Sequence, residues 1–252
     1  MVDAVVFSAD GVGYVVRWRK SMNPIGHLVY KLRNTQIHQY PFPHFYATDV
    51  FPEDFYEALV ASLPDDDGYA PLPGGYASRT AAVQPNPLVA GMEGQEFATH
   101  VLSLFPKPFN ERFAYGKARF RTECRFIRDS EGYQIGPHTD APAKVVSLLF
   151  YLPTDFDLWE HGTGIFVPED GEKTCRGGPH YKFDGFKEVW RAPFTPNSCF
   201  GFWKTSNSWH GVEKIPQISR KIRRDVLLYN IYCDDGAKSA NHPDGEGPRN
   251  PG

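Results

Sequence analysis

An imidazole and a carboxylate flank a single threonine in Tyr133-Gln134-Ile135-Gly136-Pro137-His138-Thr139-Asp140. Side chains alternate faces along an extended strand, so His138 and Asp140 project to the same side. Pro137 fixes its own φ and turns Gly136 away from the helical region, which favours that extended geometry. Two donors on one rigid segment are most of a facial metal site. A second imidazole, with positions left open, would complete the two-His, one-carboxylate arrangement that suits non-heme Fe(II).

The chain has nine histidines from which to draw that third donor. His210, in Ser208-Trp209-His210-Gly211-Val212-Glu213, shares with His138 a short strand beside a glycine. His161 and His180 lie in polar, Gly-rich stretches and are weaker candidates. A basic run, Ser219-Arg220-Lys221-Ile222-Arg223-Arg224, then leads into the apolar strand Asp225 to Ile231. A cation at the mouth of a core strand needs an anionic partner, because burying it alone is costly. The planar fork of arginine fits a carboxylate. A small diacid anchored there could reach the metal with its other end. Arg223 and Arg224 would face opposite ways if extended. Arg224 is the better placed, since its face also carries Val226, Leu228 and Asn230.

Distant strands must bring these side chains together. Of 252 residues, 41% are hydrophobic and 15% aromatic, with 23 Gly and 22 Pro, which favours short strands over a helix bundle. A formal net charge of −3 argues against a polyanion binder, so nucleic acid is not the expected partner. The four cysteines form no CxxC pair and read as free thiols in a reducing cytoplasm. The first ten residues lack the pattern of a signal peptide, and the longest apolar run, Val145 to Pro153, has the length of a buried strand.

In chain order, Val12 to Trp18 reads as a strand, with Arg17, Arg19 and Lys20 as a solvated basic face. Gln39 to Thr48 reads as an edge strand. A helix is expected from a cap at Asp49, with Pro52 in its first turn and Phe55, Leu59 and Leu63 at helical spacing. Pro64 and Asp65-Asp66-Asp67 end it, and those three aspartates diverge as a solvated loop. Residues 68–87 form a loop whose Tyr69, Tyr76 and Arg79 could line a substrate mouth. A second helix spans Leu88 to Phe105, with Phe97, Val101 and Leu104 on one face. Strands follow at 120–128, 133–140, 145–152, 162–168, 199–203, 209–215 and 225–233. The expected organisation is one domain over 1–233, with helical support at about 49–110 and a β core at about 118–233. Residues 234–252 have little apolar surface to bury and are expected to be a disordered tail. Helices followed by such a run of strands predict an antiparallel double sheet backed by helices.

His138-Thr139-Asp140, the distal His210 and the basic residues after it together resemble the iron- and 2-oxoglutarate-dependent dioxygenases. Phe150-Tyr151-Leu152 and Gly162-Thr163-Gly164 are most similar to the prolyl-hydroxylase-like branch, and the resemblance covers about residues 118–232. It implies a mainly β fold, the double-stranded β-helix or cupin-like jelly roll, with supporting helices. It also implies Fe(II) on His138, Asp140 and His210, with 2-oxoglutarate and O2 on the open positions. The far carboxylate of 2-oxoglutarate would meet an arginine, helped by Tyr151. Family spacing points to Arg220, whereas the start of the core strand points to Arg223 or Arg224. Arg128 would contact an acidic substrate or the cosubstrate, with a surface ion pair as its plain alternative. The implied reaction is hydroxylation of a small-molecule or amino-acid-like (or peptide) substrate, with succinate and CO2 released and ascorbate as a stimulant. Two rivals use the same site: a jelly-roll binding module, and a zinc hydrolase with Glu160 or Glu213 as base. A nucleic-acid demethylase would share the iron chemistry but not the charge balance. The residues leave the oligomeric state open.

Overall fold

The computed structural model describes residues 23–72, 78–105, 120–216 and 223–233, with the backbone of two further strands, β1 (Asp3–Phe7) and β2 (Gly13–Arg17). These two pair as a hairpin of their own, with β2 where a strand is expected. The side chains of Arg17, Arg19 and Lys20, together with Tyr76, Arg220 and the tail 234–252, lie outside the described residues.

Helix α1 (Pro24–Arg33) occupies a stretch that the sequence reading leaves unassigned. Its signal is Asn23-Pro24: the Asn23 side chain accepts the Ile25 N–H, and proline suits the first helical position. Leu28 and Leu32, one turn apart, are its buried face. Strand β3 (His44–Thr48) sits at a sheet edge, as expected. Helix α2 (Glu53–Ala61) begins later than an Asp49 cap would place it. Asp49 has φ 52° and turns the chain, so Pro52 becomes the capping residue. The expected loop 68–87 contains two short strands, β4 (Tyr69–Pro71) and β5 (Arg79–Ala82), that widen the sheet. The helix expected over 88–105 is broken into a 3₁₀ turn, Pro87–Met92, and α3 (Gln95–Leu102). Gly94 between them is extended, φ −80° and ψ 158°, and caps α3.

The remaining strands are β6 (Phe120–Asp129), β7 (Ile135–His138), β8 (Lys144–Tyr151), β9 (Thr163–Pro168), β10 (Phe186–Ala192), β11 (Ser198–Trp203), β12 (His210–Val212) and β13 (Arg224–Cys233). The larger sheet has the order β3-β11-β8-β13-β6-β5-β4 and the smaller one β10-β9-β12-β7. Every pairing among them is antiparallel. From β6 onward the chain crosses repeatedly between the two sheets, which makes the core a jelly roll.

Two apolar layers flank the larger sheet. One, with Leu28, Phe51, Phe97, Phe150 and Leu227, packs the helices against its outer face. The other, with Leu149, Tyr151, Ile165, Phe200 and Val226, fills the space between the sheets. Alternation along β13 sends Val226 inward and Leu227 outward. By the same alternation Arg224 points between the sheets and Asp225 toward the helices. Among the described residues no helix is long and apolar enough to cross a membrane. All four cysteines are free thiols.

Candidate metal centre

Strand β7 ends on His138, β12 begins on His210, and the two residues pair directly across the smaller sheet. Their rings lie 4.2 Å apart, centroid to centroid. Asp140 follows just past the end of β7, and its Oδ1 is 4.0 Å from Nε2 of each histidine. One donor atom from each of the three lies within 4.8 Å of the others, close enough to meet one ion. All three side chains are buried.

The backbone sets the tautomers. His138 Nδ1 donates to the Gly136 carbonyl at 3.0 Å, and His210 Nδ1 donates to the Ser208 carbonyl at 2.9 Å. A carbonyl can only accept, so each Nδ1 carries the proton and each Nε2 lone pair faces the centre. Burial, reinforced by the neighbouring imidazole, holds His138 well below the usual histidine range, and burial also lowers His210. Burial alone would raise Asp140, but Lys144 and the two histidines outweigh it and hold the carboxyl well below its ordinary value. Neutral imidazoles and an ionised carboxylate are the forms that bind a metal.

Lys144 Nζ donates to Asp140 Oδ1 at 2.9 Å, and Ser147 Oγ donates to Oδ2 at 2.7 Å. The serine bond leaves Oδ1 as the oxygen turned to the histidines. Removing an outer partner of this kind costs roughly 10- to 100-fold in metal affinity. Ser147→Ala is therefore expected to weaken Mn(II) binding by about 10-fold or more in a calorimetric titration.

The metal-free protein should also be acid-sensitive. His44, lowered chiefly by burial, joins His138 and His210 as an imidazole whose folded pKa lies below 6.5. The unfolded chain takes up these protons first, so stability is lost as pH falls below about 6.5. Asp140, also depressed, acts in the same direction at lower pH. Melting of the metal-free protein across that window checks the sign.

Residues 169–185, between β9 and β10, lie across the metal-bearing strand. The Tyr181 N–H donates to the Pro137 carbonyl at 3.0 Å, and Thr139 Oγ1 donates to the Cys175 carbonyl at 2.8 Å. Two glycines permit the approach. A Cβ on Gly136 would collide with the Tyr181 carbonyl oxygen, and one on Gly177, at φ 120°, with that of Asp140. The segment brings His180 edge-on to His138, with ring centroids 4.7 Å apart. His180 is thus a neighbour of the three-donor group rather than one of its members.

A cavity of about 70 Å³ opens beside the three donors and is lined further along by Tyr133, Leu149, Thr163 and Arg224. Arg224 is 0% exposed. Its Nε donates to the His161 carbonyl at 2.9 Å, Nη1 to Asp129 Oδ2 at 2.8 Å, and Nη2 to Thr163 Oγ1 at 3.2 Å. His161 thus serves Arg224 through its carbonyl oxygen. Tyr151 Oη donates to the same Thr163 Oγ1 at 2.8 Å and accepts the Thr163 N–H at 3.1 Å. Its burial pushes the phenol up, so it stays neutral.

Arg223 faces the other way and pairs with Asp66 at 3.1 Å. Arg128 lies on that outer face as well. It grips Asp225 through Nε and Nη2, at 2.8 and 3.2 Å, and Asp66 through Nη1 at 3.0 Å. Its guanidinium sits over the Tyr69 ring. The surface ion pair considered for Arg128 is therefore a buried one, and it borders a second cavity of about 380 Å³ on the helix side. Asp66 is correspondingly tied to two arginines rather than simply solvated. Arg79 does line the metal cavity. Glu213 is an exposed partner of Arg191, and neither it nor Glu160 borders that cavity.

Lys144, Ser147 and Asp129 are residues of this region that the sequence reading does not single out, and Thr163 enters it only as part of Gly162-Thr163-Gly164. Asp129 had one usable signal: next to Arg128 on a strand, it must point to the opposite face.

No protein-family model matches the chain, and no curated protein sequence matches it. Several solved structures are similar in outline. A prolyl hydroxylase from Trichoplax adhaerens, in complex with a hypoxia inducible factor oxygen degradation domain peptide fragment, aligns over 86% of this chain and 93% of its own, with 12% identity and a TM-score of 0.48. A Pseudomonas putida prolyl-4-hydroxylase aligns over 82% and 98%, with 16% identity and a TM-score of 0.42. HygX from Streptomyces hygroscopicus, with nickel, 2-oxoglutarate and hygromycin B bound, aligns over 75% and 82%, with 11% identity and a TM-score of 0.42. By its own strand order and convergent His-Asp-His donors, the chain has the fold and donor set that its resemblance to the iron- and 2-oxoglutarate-dependent dioxygenases implies.

Proposed function

We propose that this chain is an Fe(II)- and 2-oxoglutarate-dependent oxygenase that hydroxylates a small-molecule or amino-acid-like (or peptide) substrate. The observation that carries the reading is the meeting of His138, Asp140 and His210 inside a jelly roll, beside a cavity that Arg224 also lines. The donor set fits the metal: two neutral imidazoles and one carboxylate would hold an ion and leave it other positions for cosubstrate. A closed structural site would use four protein donors. A zinc hydrolase would need a base beside the metal, and Glu160 and Glu213 do not line the cavity.

His138, Asp140 and His210 would hold the metal, with their orientation fixed by Gly136, Ser208 and Ser147. Arg224 and Thr163 would receive the far carboxylate of the cosubstrate, and Tyr151 would act by holding Thr163 in place. Leu149 and Phe202 wall the cavity with apolar surface. When bound, Fe(II) with 2-oxoglutarate and O2 would supply oxidative C–H chemistry, with succinate and CO2 as co-products.

The test is succinate formation by purified protein supplied with Fe(II), ascorbate and 2-oxoglutarate, across a panel of amino acids, peptides and small metabolites. Succinate that depends on iron and rises with one substrate class supports the reading. Failure to bind 2-oxoglutarate in the presence of metal, together with no succinate across the panel, would overturn it.

A further inference from the structure

Lys144 and Ser147 both reach Asp140, although residues three apart on a regular strand face opposite sides. A bulge reconciles them. Consecutive Ile231 and Tyr232 on β13 pair with Val146 and Lys144 on β8. Val145 is thus the extra residue, and Lys144 is re-aimed onto the face that carries Ser147. The two bonds to Asp140 are not equivalent. Ser147 takes Oδ2, whereas the Lys144 ammonium sits 2.9 Å from Oδ1, the oxygen 4.0 Å from Nε2 of each histidine. An ammonium and a divalent ion would compete for that one atom, and like charges so close repel even when screened.

A second seat for the ammonium lies close by. Glu123, Asn230 and Ser147 stand directly opposite one another on β6, β13 and β8. Asn230 Nδ2 donates to Glu123 Oε2 at 3.2 Å, and Tyr232 Oη donates to the same oxygen at 2.8 Å. Oε1 pairs with Arg125 at 2.9 Å, which leaves the carboxylate room for a further donor. An ionised carboxylate only accepts, so the amide must turn Nδ2 to Glu123, and Asn230 Oδ1 is left buried with no hydrogen-bond partner. A bare acceptor in a buried place is costly. Burial alone would raise Glu123, but Tyr232, Asn230, Arg125 and Lys144 outweigh it and keep the carboxyl below its ordinary value. Lys144 pairs across the sheet with Tyr232, so its flexible stem starts beside this seat.

We propose that Lys144 is a positioning residue with two stations: it holds Asp140 toward the histidines until a metal arrives, then yields Oδ1 and moves to Glu123 and Asn230 Oδ1. This inference rests on the metal-binding part of the oxygenase reading.

The experiment titrates Mn(II) into the full chain, Lys144→Met, Glu123→Gln and the double variant, and melts the first two without metal. Lys144→Met should bind Mn(II) about 10-fold more tightly, because a competing cation is gone. Its metal-free form should nevertheless melt below wild type, since buried Asp140 loses that cation. Glu123→Gln keeps the hydrogen bonds of the second seat and removes its charge. It should weaken Mn(II) binding roughly 3- to 10-fold when Lys144 is present, and by less than about twofold in Lys144→Met. Mn(II) affinity in Lys144→Met that is unchanged or weaker overturns this inference alone, the weaker case marking Lys144 as a plain support like Ser147. A Glu123→Gln effect of equal size in both backgrounds removes the second station and also overturns it. Wild-type protein that binds no Mn(II) sinks the oxygenase reading, and this inference with it.

Discussion

Asp140→Ala is expected to abolish metal binding and all iron-dependent succinate formation. The carboxylate is the single anion among the three donors, and both imidazoles face it at 4.0 Å. Loss of an outer partner alone costs roughly 10- to 100-fold in affinity, so loss of the donor itself should exceed about 100-fold. The variant also leaves Lys144 and Ser147 without the acceptor they now share, so its Mn(II) titration should be read beside its melting curve. His138→Ala and His210→Ala should lose metal comparably. Full Mn(II) affinity in any one of the three would remove that residue from the site.

The second large effect concerns stability. Asp129 is fully buried between Arg79 and Arg224. Asp129→Ala leaves the wholly buried Arg224 guanidinium without its anion, and breaking such a pair from one side costs about 3–5 kcal/mol. At roughly 2–4 °C per kcal/mol for a chain of this size, the melting temperature should fall by about 6–20 °C. Arg224→Leu together with Asp129→Leu should recover much of that loss, since replacing both partners by apolar residues is often neutral. A single variant that melts with wild type would mean that the pair is hydrated rather than buried. The double variant should still bind metal, because none of the three donors touches this pair.

The convergence of His138, Asp140 and His210 was legible because their signals are local. Alternation puts His138 and Asp140 on one face, Pro137 straightens the strand, and a glycine follows His210 as one precedes Pro137. That Arg224 rather than Arg223 points between the sheets was also legible, since Val226 and Leu228 mark the inner face of β13. Other features hid where long-range pairing decides. Nothing near Arg128 in the chain announces Asp225 and Asp66, which reach it from the neighbouring strand β13, 97 positions on, and from the turn after α2. Arg79 looks like a loop residue until β5 pairs with β6. The break at Gly94 was missed because apolar spacing continues on either side of it, from Val89 to Phe97. The segment 169–185 gave no periodic signal, although Gly177 marks where it meets Asp140 and Gly136 where β7 meets it.

That pressed segment has a further consequence. With Gly136 against Tyr181 and Gly177 against Asp140, the stretch around His180 is packed directly onto the strand that carries His138. Swinging it aside would break the Tyr181–Pro137 and Thr139–Cys175 hydrogen bonds that flank His138 and Asp140. A side chain added at Gly136 or Gly177 would therefore press on the very backbone that carries His138 and Asp140.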